Sequence, residues 1–119
     1  MSYARASDGI RLHYEVIGRS SATPVLMIQG LGADKHGWDM QRLPLAMQYR
    51  VIALDNRGHG ESAKPHDSAL YGAPLMAEDA RRLLDHLGIA KAHVMGYSMG
   101  ARITAFELMG IPLYVLAAL

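Results

Sequence analysis

The sequence predicts an α/β fold: three layers, α/β/α, with a mostly parallel central sheet and an N-terminal β-hairpin, in a single domain over residues 1–119. Three observations carry that prediction. Residues 24–29, 50–55 and 92–97 are nearly continuous apolar runs, the mark of strands covered on both faces. Stretches of helical spacing separate them, and strands alternating with helices build a parallel sheet with helices on its faces. The chain opens with two short segments around Asp8-Gly9, a dipeptide suited to a hairpin turn.

Residues 4–7 and 10–17 are expected to form that hairpin. In the second segment Ile10, Leu12, Tyr14 and Val16 alternate with Arg11, His13 and Glu15. A period of two means one buried face and one wet face, which places His13 in solvent. Residues 18–23 read as a polar turn before the first apolar run. Residues 38–48 read as a helix carrying Trp38 and Leu45, with a break or kink expected near Pro44. In residues 74–87, Met76, Ala80, Leu83, Leu84 and Leu87 form one stripe of a 3.6-residue helix. Pro74 suits its first turn and Gly88 its stop, and Glu78 and Arg82 are spaced to pair on its outer face. Residues 99–109 read as a third helix, ended by Gly110 with Pro112 beyond, and residues 113–119 as a last strand. The long loop is 56–73, rich in Gly, Pro, Ser and charge.

Composition narrows the function. Half the residues (50%) are apolar and 19% are charged, as in globular domains. The formal net charge is +1 and Lys and Arg do not cluster, so neither nucleic acid nor an anionic membrane is an expected partner. The chain has no cysteine, which excludes disulfides, thiolate metal sites and a thiol nucleophile. No apolar signal-peptide core appears near the start, so the cytoplasm is the expected compartment.

The sharpest motif is Gly96-Tyr97-Ser98-Met99-Gly100, between a predicted strand and a predicted helix. A serine on so tight a turn holds strained backbone and pushes its hydroxyl clear of the sheet. Neighbouring side chains would collide, so the positions two residues either side call for glycine. The following helix directs free N–H groups at the site, where they favour developing negative charge. A second motif, Gln29-Gly30-Leu31-Gly32, follows the strand at 24–29. The N–H groups of Leu31 and Met99 are candidate donors to an oxyanion, although Gly30-Leu31-Gly32 alone equally suits an ordinary glycine turn. A third, Asp55-Asn56-Arg57-Gly58-His59-Gly60-Glu61-Ser62, closes the strand at 50–55. Asp55 and Arg57 read as props for the loops, in turn and capping roles.

Together the three motifs, with Trp38 and the helix ending in Leu87-Gly88, resemble the α/β-hydrolase fold superfamily, and within it small esterases and enol-lactonases. The resemblance runs from Ser2 to about Leu108 in the family's order. It implies that Ser98 is the nucleophile, flanked by elbow glycines Gly96 and Gly100. It implies that Leu31 and Met99 supply oxyanion N–H groups, and that the substrate is a small ester or lactone. It implies no metal and no organic cofactor. Gln29 stands where many members have His.

The family's catalytic order is Ser, then an acid, then His. After Ser98 this chain offers Glu107 as its acid and no histidine; His13, His36, His59, His66, His86 and His93 all precede the serine. His36 is the best-placed upstream substitute, since its loop follows the first apolar run. The sequence thus reads as the N-terminal portion of such a domain, catalytically complete only in a longer chain or with a complementing partner. The alternative is a catalytically inactive homologue serving as a binding or assembly module. The apolar segment at 113–119 is expected to pair with another copy of the chain, as a homo-oligomer, or with further sequence.

Overall fold

In the computed structural model of the protein, residues 2–30, 32–98 and 100 are described in full and residues 113–118 by their backbone. The hairpin joins β1 (Ser2–Arg5) to β2 (Arg11–Ile17), pairing Ser2 with Tyr14 and Arg5 with Arg11. The first strand thus lies earlier than the expected 4–7. Ala6 is taken by the turn: it donates to Ile10 O (2.9 Å) and accepts from Gly9 N–H (3.0 Å).

β3 (Thr23–Ile28), β4 (Tyr49–Leu54), β5 (Ala92–Gly96) and β6 (Leu113–Ala118) complete a six-stranded sheet of order β1-β2-β4-β3-β5-β6. β2 meets β4 antiparallel, whereas β4, β3, β5 and β6 run parallel to one another. The expected mixed sheet, parallel beyond its hairpin, is present.

α1 (Asp39–Ala46) follows a 3-10 turn, Lys35–Trp38, whose start is capped by Asp34 accepting from His36 N–H (2.9 Å). The helix runs unbroken through Pro44, against expectation. Pro44 removes one hydrogen bond, and the helix ends at Ala46 before further turns need it. α2 (Ala73–His86) carries Pro74 in its first turn, as its stripe predicts. Its outer ion pair joins Glu78 to Arg81 (3.5 Å), one step short of the expected Arg82. The predicted helix at 99–109 lies outside the described residues beyond Gly100.

Two cores explain the apolar runs. Met76, Ala80, Leu83 and Leu84 of α2 pack on Leu26, Ile28, Ile52 and Leu54. On the other face Trp38, Leu45 and Ala46 pack on Val25, Met27 and Val51. Successive β3 side chains alternate between these cores, so both sets must be apolar. Met40, Leu43 and Met47 are exposed.

The long loop is pinned by Arg57, whose side chain has no exposed surface. Its Nε and Nη2 donate to the two Asp79 oxygens (2.7 Å each), and Nη1 donates to Leu70 O (2.8 Å) and Asp8 (2.9 Å). One side chain thereby ties the hairpin turn, the loop and α2 together. Burial pushes the Asp79 carboxyl up, and Arg57 opposes it; Arg57 holds Asp8 below its ordinary range. Removing one partner of such a pair strands a buried charge. Arg57→Met is expected to lower stability by about 3–5 kcal/mol in urea denaturation. Arg57→Met combined with Asp79→Leu should recover most of that loss; an unchanged midpoint in the single variant would contradict the role.

Candidate active site

β3 and β5 end side by side, with Ile28 paired to Gly96. The chain leaves β5 at Tyr97, whose N–H donates to Ile28 O (3.1 Å), and turns at Ser98. Ser98 has φ of 57°, the one non-glycine residue with positive φ among the described residues. The turn closes where Gly100 N–H donates to Tyr97 O (2.9 Å). A Cβ at Gly100 would lie 2.1 Å from Ile28 O, inside any tolerable contact with backbone, so this position admits no side chain. Gly96 ends β5, buried between its neighbours Ile28 and Ala118.

Ser98 is exposed at the C-terminal ends of the parallel strands. Ligand sites of open α/β sheets sit at that edge. The glycine turn after β3 lies against it: a Cβ on Gly30 would be 3.0 Å from Ser98 Cβ and 3.4 Å from its Oγ. Side chains hold that turn from both ends. Gln29 Oε1 accepts from Gly30 N–H (2.9 Å), Asn56 Nδ2 donates to Gln29 O (2.9 Å), and Gly32 N–H donates to His59 Nε2 (2.9 Å). Leu31 and Met99, the expected oxyanion donors, lie outside the described residues, as does Glu107.

The upstream histidines separate. His36 sits on the surface with Nδ1 3.2 Å from Asp39 Oδ2. His66 and His86 are exposed, and His93 stacks edge-on to Tyr49. His13 is buried, contrary to the expectation of a solvated face. Its Nε2 lies 2.9 Å from Glu61 Oε2 and its Nδ1 3.5 Å from Asp55 Oδ2. The loop at 56–73 folds over that part of β2: Ala63 N–H donates to Arg11 O (2.9 Å) and His13 N–H to Ser62 Oγ (2.8 Å). Strand periodicity cannot foresee such a cover.

Behind the site lies a polar node around Asp55, which acts as the loop prop the sequence suggests, with Lys35, Glu61 and His13 as partners that the sequence did not indicate. Asp55 is fully buried and accepts from Lys35 N–H (2.7 Å), Lys35 Nζ (2.8 Å) and Glu61 N–H (3.0 Å). Lys35 is itself buried. Burial alone would raise the Asp55 carboxyl, but Glu61 N–H and Lys35 outweigh it and hold the group below its ordinary range. Among the described residues no group of three or more His, Asp or Glu is arranged to hold a metal. No described helix is long and apolar enough to cross a membrane.

Two outcomes are expected. Asp55 has a folded pKa below its unfolded one, so its stabilisation is complete above the ordinary carboxylate range and fades as pH falls through the folded value. Asp55→Asn should therefore flatten the acid side of a stability–pH curve, and an unaltered slope would count against the node. Ser98→Gly should raise stability by about 1 kcal/mol by relieving the left-handed strain, whereas Ser98→Ala keeps the Cβ and the strain. Thermal denaturation of both variants checks this.

A family model of the alpha/beta hydrolase fold matches residues 23–109. The chain is 43% identical over 98 residues to the dihydrolipoyllysine-residue acetyltransferase component of the acetoin cleaving system of Pseudomonas putida, covering 81% of this chain and 25% of that protein. It is 37% identical over 93 residues to 3-oxoadipate enol-lactonase 1 of Acinetobacter baylyi, covering 78% of this chain and 34% of that protein. The solved structure of a hydrolase from Pseudomonas aeruginosa superposes with a TM-score of 0.90 at 30% identity, over 97% of this chain and 43% of that one. The chain thus spans less than half the length of each of these. The matched model, the strand order and the tight turn at Ser98 agree: this chain belongs to the alpha/beta hydrolase fold family.

Proposed function

We propose that Ser98 is the nucleophile of a serine hydrolase acting on a small ester or lactone. The observation that carries this reading is the left-handed φ of 57° at Ser98. A non-glycine residue is kept in that conformation only where the surrounding structure enforces it, and such strain clusters at functional sites. Here the turn is bonded on both sides of Ser98, by Tyr97 N–H to Ile28 O (3.1 Å) and Gly100 N–H to Tyr97 O (2.9 Å). The enol-lactonase of Acinetobacter baylyi, 37% identical, supports the substrate class.

In the proposed reaction Ser98 Oγ attacks the substrate carbonyl carbon as a general base takes its proton. The tetrahedral oxyanion is held by the N–H groups of Leu31 and Met99. Collapse expels the alkoxide, which takes up the proton, and leaves an acyl group on Ser98. Water then attacks that ester, releasing the acid and restoring the hydroxyl. The base and its orienting acid are assigned to polypeptide outside these 119 residues, in a longer chain or a complementing partner. β6, outermost in the sheet, is the edge where such polypeptide or a second copy of the chain would add.

A fluorophosphonate serine probe tests the reading by intact mass. The oxyanion hole and binding leave residual reactivity when the base is missing, so one slowly formed adduct on the wild-type chain and none on Ser98→Ala is the expected result. No adduct on folded wild-type protein would favour a binding or assembly module in place of an enzyme.

A further inference from the structure

We propose that His59 is a positioning residue: as the neutral tautomer with its proton on Nδ1, it fixes the glycine turn after β3 against Ser98. This rests on the reading of Ser98 as nucleophile, since the turn carries the oxyanion donor assigned to Leu31.

The two contacts of the imidazole agree on one tautomer. Gly32 N–H donates to Nε2 (2.9 Å), so Nε2 carries no proton. Nδ1 lies 3.0 Å from Arg57 O, which can only accept, so Nδ1 carries it. The ring joins a donor on one loop to an acceptor on another, and no imidazolium could do so. Its own anchor is rigid, because Arg57 is clamped between Asp79 and Asp8.

Placement makes the bond consequential. Gln29 and Asn56 secure the near side of the turn, at Gly30 N–H and Gln29 O. His59 secures the far side, at Gly32. Position 31 lies between these fixed points, and the Gly30 end abuts Ser98. An oxyanion donor acts at the charge that develops during acyl transfer, not on the bound ester. Loosening its far anchor should therefore slow the chemical step without weakening binding.

Histidine-labelled protein, observed by long-range proton–nitrogen correlation, reads the tautomer with no variant needed. The expected signature is a protonated Nδ1 and a bare Nε2 at His59 near neutral pH. His59→Phe should speed amide exchange at Gly32, and His59→Gln, which restores an acceptor, should slow it again. In saturation kinetics with the fluorophosphonate probe, His59→Phe should lower the limiting rate of Ser98 modification by up to about 100-fold, the order expected for misplaced reacting groups. The half-saturating concentration should not move, and His59→Gln should recover part of the rate. A proton on Nε2, an imidazolium in the folded protein, or unchanged Gly32 exchange in His59→Phe would overturn the proposal. An unchanged limiting rate in His59→Phe would overturn it as well. If the wild-type chain takes no probe, the nucleophile reading fails by itself, and the tautomer and exchange data still decide whether His59 holds the turn.

Discussion

Arg57 carries a charge with no exposed surface, which an interior tolerates only when every N–H group it buries finds an acceptor. Asp79 supplies two acceptors from α2, Asp8 supplies two from the hairpin turn, and Leu70 O supplies one from the long loop. The hairpin turn lies 49 positions from Arg57, and among the described residues no strand ladder fixes the loop. The guanidinium's planar fork imposes directions as well as distances, so the loop leaving β4 takes one path. Everything that loop presents, including Asn56 and His59, inherits its position from that clamp.

The site depends on this path at a second remove. The loop from β4 supports the turn from β3, and that turn lies against Ser98 at the end of β5. Parallel strands put all three endings at one edge of the sheet. The strain at Ser98 is held from beneath by Ile28, whose carbonyl accepts from Tyr97 N–H and leaves no room for a side chain at position 100. Strain confined by close packing is a means of preorganisation: the hydroxyl is set before any substrate arrives. Buried Asp55, Lys35 and His13, with the exposed Glu61 at their rim, back this edge, and the Asp55–Lys35 contacts fix the start of the 3-10 turn to the end of β4.

Much of this was legible in the sequence for identifiable reasons. Doubly covered strands must be apolar on both faces, so β3, β4 and β5 announced themselves as runs. The stripe on α2 reported its buried face. Asp79 sits on that same stripe, between Met76 and Leu83, and an acid on an apolar face is a signal for a buried cation that the sequence reading passed over. His13 offered no such signal. Its strand alternates as a half-exposed strand should, and the loop that covers it comes from residues 62 and 63.

What the sequence by itself determined is the architecture and the place of the serine. Hydrophobic period and the glycine spacing around Ser98 are local properties, and they sufficed for the strand and the turn, while three motifs in order sufficed for the family. What only the tertiary structure decided is which polar groups are partnered. Lys35 with Asp55, Arg57 with Asp79, and His59 with Gly32 each join residues 20 or more positions apart. Such pairings are set by how the loops cross at the sheet's edge, and no local pattern encodes that crossing.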